Sequence, residues 1–233
     1  MERVVEPEWL DELPAEDRRA VSSRGDLVRL NFLMGHAGIM SRLLREAICE
    51  RRGYHVVELG AGDGSFAWRW IKRLPRTLRP SRVTLVDRVG LVSSRTKEKF
   101  ADIGCEVGVR QADVFDWLAT PEPEPVEVIS ANLFLHHFDV SDLGRLLNLA
   151  AKRCQCFIAC EPRRSLTSLV GSQWLGLIGC NGVTRHDAVI SVRAGFSGNE
   201  LSRLWPKEAH WVVGDRKAGL FSHAFVAATR SHA

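Results

Sequence analysis

The sequence predicts an α/β protein: one mostly parallel, seven-stranded sheet with helices on both faces, closed at one edge by an antiparallel C-terminal hairpin. Three observations carry this. Short apolar runs alternate with stretches of helical apolar spacing between residues 55 and 160. A glycine-rich turn directly follows the first run, where a strand must pass sharply into a helix. The length, 233 residues, suits one such domain with an added cap.

The elements are expected in this order. Residues 1–52 form an N-terminal helical cap, and 53–233 form the ligand-binding domain. The cap opens with an extended surface segment, Glu6–Pro14, because Pro7 and Pro14 interrupt a helix. It continues as a helix over Asp26–Glu50, with Leu27, Leu30, Leu33, Met34, Leu43, Leu44 and Ile48 on recurring faces. Strands are predicted at His55–Leu59, Arg82–Val86, Cys105–Arg110, Val126–Ala131 and Gln155–Cys160. Helices are predicted at Ser65–Leu78, Leu91–Ile103 and Asp139–Arg153. An insertion over about residues 163–196 then supplies an apolar helix, Leu166–Cys180, and a loop, Asn181–Arg193. Ser197 and Glu200 have capping-box spacing and open a short helix. The hairpin pairs His210–Gly214 with Phe221–Thr229 across an Asp215–Gly219 turn.

Composition narrows the function. The chain is 45% apolar and 26% charged, as an ordered globular protein should be. A net charge of +4, spread along the chain, describes no nucleic-acid footprint. The six cysteines lack paired C-x-x-C spacing, so buried free thiols are expected and no metal. No run of 18 apolar residues exists to span a membrane and no signal-peptide core opens the chain, which predicts a cytoplasmic protein. The sequence leaves a homodimer open.

Val56-Val-Glu-Leu-Gly-Ala-Gly-Asp-Gly-Ser65 is the most informative stretch: an apolar strand, an acid, three alternate glycines, then a helix. Glycine there permits the turn and lets a ligand approach bare backbone. Glu58 and Asp63 close by would repel a pyrophosphate but stabilise a ligand carrying an ammonium and a sulfonium. The third small position of a dinucleotide fingerprint falls on Ser65. Charge and spacing together favour S-adenosylmethionine over a nicotinamide cofactor.

At these residues the chain resembles the class I S-adenosylmethionine-dependent methyltransferases, small-molecule type, including those of ubiquinone and menaquinone biosynthesis. The resemblance implies a Rossmann-like fold and runs in order over residues 55–161. It implies that Gly60 and Gly62 flank the cofactor's amino-acid portion. Asp87, with Arg88 beside it, stands where the family binds the ribose hydroxyls. Asp113 and Val114 stand where it contacts adenine, Asn132 and Leu133 where it faces the methyl-donor end. Glu161-Pro162 closes the set.

The acceptor is expected to be small, because the Pro-Pro-aromatic motif of DNA amino-methylases is absent after Asn132. His136 and His137 follow the fourth strand and are candidate general bases. Trp174, Leu135 and Phe196 are candidate apolar contacts, and Arg185 and Arg193 candidate anchors for an anionic group. This set favours O-methylation of an aromatic or lipophilic acceptor, with S-adenosylhomocysteine as product. The alternatives are C-methylation of a quinol-like acceptor, a non-catalytic scaffold of the same fold, and a nicotinamide-dependent oxidoreductase.

Overall fold

The computed structural model describes residues 1–48, 53–120 and 125–230. Five parallel strands, β1 (His55–Leu59), β2 (Arg82–Asp87), β3 (Glu106–Gln111), β4 (Val128–Asn132) and β5 (Cys156–Pro162), fall within two residues of the predicted runs. Two more, β6 (Trp211–Ala218) and β7 (Ser222–Thr229), form the antiparallel hairpin. The order is β3-β2-β1-β4-β5-β7-β6. It reverses between β1 and β4, so the crevice at their carboxyl ends is the natural place for a ligand.

Strands buried on both faces explain the near-continuous apolar runs. Successive residues serve opposite cores: Phe157 and Ala159 pack with one cluster, Cys156, Ile158 and Cys160 with the other. Helices α3 (His36–Ala47), α4 (Ser65–Lys72) and α5 (Ser94–Ala101) cover the second face. Helices α6 (Val114–Ala119), α7 (Val140–Ala151) and α10 (Glu200–Leu204) cover the first. Polar N-caps fix several helix starts: Asp113 accepts from Phe115 N–H and Asp139 from Asp142 N–H, both at 2.8 Å. Each such cap is worth about 1 kcal/mol. Cys105, Cys154, Cys156, Cys160 and Cys180 are buried free thiols, and Cys49 lies outside the described residues.

The remaining helices differ from expectation. The cap is two helices, α2 (Arg18–Leu33) and α3, separated where Gly35 adopts φ +69°. Its predicted end at Glu50 lies outside the described residues. The segment expected to be extended holds a helical turn, α1 (Trp9–Glu12), between its two prolines. The insertion contains α8 (Leu166–Gln173), a 3-10 turn over Trp174–Ile178, and α9 (Gly182–Ala194) where a loop was expected. Asn181 caps α9, accepting from Thr184 N–H at 2.8 Å. Five β-branched residues and an N-terminal glycine hide that helix from propensity. Asp215–Ala218 extends β6 instead of turning, because Asp215 accepts from Ser202 N–H and pairs with His223 at 2.7 Å; Gly219, at φ +73°, makes the turn. Glu200 reaches back to Ser197 N–H at 2.9 Å, the acid's half of the capping box.

Candidate active site

The site is assembled from the carboxyl ends of β1, β2, β4 and β5. After β1, Gly60 and Gly62 take φ +66° and +55°, left-handed conformations that favour glycine. They are not equivalent. A Cβ on Gly60 would stand 2.3 Å from the Phe134 ring, whereas one on Gly62 would meet nothing within 4 Å. Gly60 therefore seats Phe134, and Gly62 faces open space able to take a ligand. Asp63 is exposed and accepts from Ser65 N–H at 2.9 Å.

Asp87 ends β2 half-buried, accepting at 2.8 Å from Gly62 N–H on one oxygen and from Val89 N–H on the other. Two backbone donors aim the carboxylate and leave lone pairs toward solvent. Arg88 beside it is exposed. Asp113 is half-buried, and one of its oxygens serves as the cap of α6 beside buried Val114. Glu58 is 2% exposed, with its carboxylate on Trp70 Nε1 and Ser130 Oγ, and burial pushes it up to about 7. It lies beneath the turn, away from solvent.

Asn132 ends β4 buried, 2.9 Å from His36 Nδ1 and donating to Asn31 Oδ1 at 3.0 Å, which ties the cap helices to the sheet. Burial lowers His36 to about 4, so it is neutral. Leu133 follows at φ +51°, the lone non-glycine with positive φ among the described residues. Its N–H donates to Cys160 C=O at 3.0 Å.

His136 is 3% exposed and fixed at both nitrogens, with Nδ1 2.7 Å from Glu161 and Nε2 3.3 Å from Glu8. Burial opposes its charge, but the two carboxylates outweigh that and raise it to about 9. The same partnership overcomes burial to hold Glu8 at about 2 and Glu161 below the usual carboxylate range. Glu161 also accepts from Phe134 and Leu135 N–H, both at 3.0 Å, and so shapes the turn after β4. His136 is thus a structural imidazolium. His137 is half-buried beside Asp11 at 3.4 Å. Glu8, His136 and His137 each bring one ligand-type atom within 4.8 Å of the others, a clustering that the expectation of no metal did not foresee.

A cavity of about 250 Å³ lies between α1, α2, α8 and α9, with Leu133, Pro162 and Phe221 at the sheet end. Its wall is largely apolar: Leu27 and Leu30 from α2, Met34 just after it, Leu175 and Ile178 from the insertion, Val192 from α9. The polar exceptions are hydroxyls and two carboxylates, Glu8 and Asp187. Asp187 accepts from Trp9 and Leu10 N–H at 2.9 and 3.0 Å, anchoring α1, while Trp9 stacks on His186 with ring centres 3.6 Å apart.

Cap and insertion thus meet, but not through the expected residues. Trp174, Arg185 and Arg193 are exposed and do not line the cavity, and Leu135 and Phe196 are core residues. The lining contains no Lys, Arg or His. Glu8 escaped sequence reading because 128 residues separate it from His136. Asp187 had a signal: read as a helix capped by Asn181, the segment aligns Val183, Asp187 and Ile190 on one buried face.

No family model and no curated protein sequence matches the chain. Solved structures do. An O-methyltransferase family protein from Burkholderia thailandensis superposes with a TM-score of 0.60 at 16% identity, over 92% of this chain and 61% of that one. The plantazolicin methyltransferase BamL, solved with a triazolic desmethylPZN analog and SAH, gives 0.63 at 13% identity, over 94% and 92%. The mitomycin 7-O-methyltransferase MmcR gives 0.57 at 15%, over 94% and 60%. The chain spans about three-fifths of the first and last of these. At such identities the likeness establishes the class I methyltransferase fold.

Proposed function

We propose that this protein transfers a methyl group from S-adenosylmethionine to an oxygen of a small, aromatic or otherwise lipophilic acceptor, releasing S-adenosylhomocysteine. The carrying observation is the apolar cavity against Leu133, at the end of β4, next to the strand whose glycine turn opens beside Asp87. The residues fit the cofactor: the backbone at Gly62 is bare, a Cβ there would meet nothing within 4 Å, and two backbone N–H groups orient the Asp87 carboxylate. In this reading Asp87 accepts the ribose hydroxyls, Asp113 and Val114 border the adenine, and residues 60–63 back the amino-acid end. Glu58 supports the turn from beneath. When bound, the cofactor supplies a methyl group on a sulfonium.

The chain's own task is then to hold the acceptor and exclude water. The wall offers two carboxylates, Glu8 and Asp187, and no cation free to hold an anionic acceptor, since the His136 imidazolium behind Glu8 is already shared with Glu161. A carboxylate held near 2 is a weak base, so Glu8 orients the acceptor hydroxyl instead of removing its proton at neutral pH. The hydroxyl proton passes to water as the oxygen is methylated, which calls for the acidity of a phenol or enol. Calorimetry with S-adenosylhomocysteine, followed by a mass-spectrometric methyl-transfer screen of phenols and quinols, tests this. Absence of S-adenosylhomocysteine binding would sink the reading.

A further inference from the structure

The mouth of the cavity is framed by exposed apolar side chains. Residues 165–182 carry no charged side chain, yet much of this stretch faces outward. Leu166, Val170 and Trp174 follow one another at helical spacing and are exposed, and Leu177 is 77% exposed on the 3-10 turn that follows. Across the opening, Phe221 packs on Gly171. Leu33, Ile178 and Phe221 are both cavity wall and exposed rim, so the apolar lining continues to the outside. Exposed apolar side chains gathered around a cavity mouth mark an interaction site.

The charges beside the patch are basic. Arg163 donates to Leu220 C=O at 3.5 Å, and Arg185 lies against Gly176, its Nε 3.3 Å from where a Cβ would stand. Neither is in an ion pair among the described residues. Arg29 also reaches the rim, at Ile178 C=O, but is paired with buried Asp26. An apolar face carrying Leu and Trp with guanidiniums at its margin is the pattern of elements that lie in a bilayer interface. No helix among the described residues is long and apolar enough to cross a membrane. A twofold contact between copies would set this basic rim against itself and close the cavity mouth.

We propose that this face docks on an anionic bilayer surface, with Trp174 and Leu177 entering the interface and the cavity mouth opening onto the lipid. Docking does not depend on methyl transfer. The corollary does rest on that reading: the acceptor is membrane-dissolved and enters the cavity without crossing water.

Flotation with phosphatidylcholine vesicles, with and without phosphatidylglycerol, tests the proposal on the full chain. The wild type is expected to float with the anionic vesicles. Trp174→Glu with Leu177→Glu should reduce partitioning at least tenfold at unchanged melting temperature, and Arg163→Glu with Arg185→Glu should abolish the preference for anionic lipid. No flotation, or flotation that ignores these changes, overturns the proposal. So does a wild-type dimer in light scattering that the apolar-to-acid pair makes monomeric without any vesicle binding, since the face would then join two copies. Calorimetry with S-adenosylhomocysteine on the same samples reports the methyl-transfer reading independently.

Discussion

The backbone N–H of Gly62 donates to the Asp87 carboxylate at 2.8 Å, so the turn after β1 and the end of β2 form one unit. Asp87→Ala should weaken S-adenosylhomocysteine binding by about 1.5–3 kcal/mol, the range for hydrogen bonds to a charged group. Calorimetry reads this directly. Unchanged affinity would mean that Asp87 only braces the turn.

Gly60 and Gly62, two of the left-handed glycines after β1, should separate folding from binding. Gly60→Ala drives a methyl into the Phe134 ring and should lower the melting temperature by several degrees, since about 1–3 kcal/mol of overpacking and strain is added. Gly62→Val meets only empty space, so it should cost about 1 kcal/mol of backbone strain while S-adenosylhomocysteine binding is lost. The reverse pattern would reassign the open side of the turn.

Stability should fall away on both sides of mildly acidic pH. His136, raised from 6.5 to about 9, stabilises fully below 6.5, and this is lost as pH climbs through 9. Glu58, raised from 4.5 to about 7, loses its contribution between those values. Glu8, lowered to about 2, contributes above 4.5 and fails as pH drops toward 2. Each of the raised groups is worth at most about 3 kcal/mol. In thermal melts, Glu58→Gln should flatten the limb between pH 4.5 and 7 and leave the His136 limb above it.

Turnover should respond to Glu8 and not to the residues that the sequence favoured. Glu8→Gln is expected to lower kcat/KM for a phenolic acceptor by about 10–100-fold, one charge-assisted hydrogen bond's worth. His137→Ala and Arg185→Ala should stay within about twofold, as neither lines the cavity. A large loss in His137→Ala, with Glu8→Gln unaffected, would restore a general base at 137.

The strands and the glycine turn were legible because their signals are local: near-continuous apolar runs, alternate glycines directly after β1, and an acid at or beside the ends of β1, β2 and β5. The cavity was half legible. Cap and insertion were identified as its walls from what the sheet does not need, but the side chains that face inward depend on helix phase. Reading 181–193 as a loop hid that phase, which puts Asp187 inward and leaves Arg185 and Arg193 outside. The Glu8–His136–Glu161 chain joins three distant segments of sequence, and no local pattern announces such a pairing. It also explains why His136, attractive as a base on sequence alone, is committed elsewhere.

Leu133 holds a backbone conformation that a leucine adopts only at a cost of about 1–2 kcal/mol, and its side chain forms cavity wall where the sheet ends. Glycine would relax the backbone there, and it would also erase the wall. The position is therefore one where selection for durability and selection for use pull apart. A library screened for heat resistance alone should drift toward glycine at 133, whereas one screened for acceptor turnover should retain a bulky apolar residue. Running both selections in parallel would convert a single dihedral angle into a record of which pressure shaped this chain.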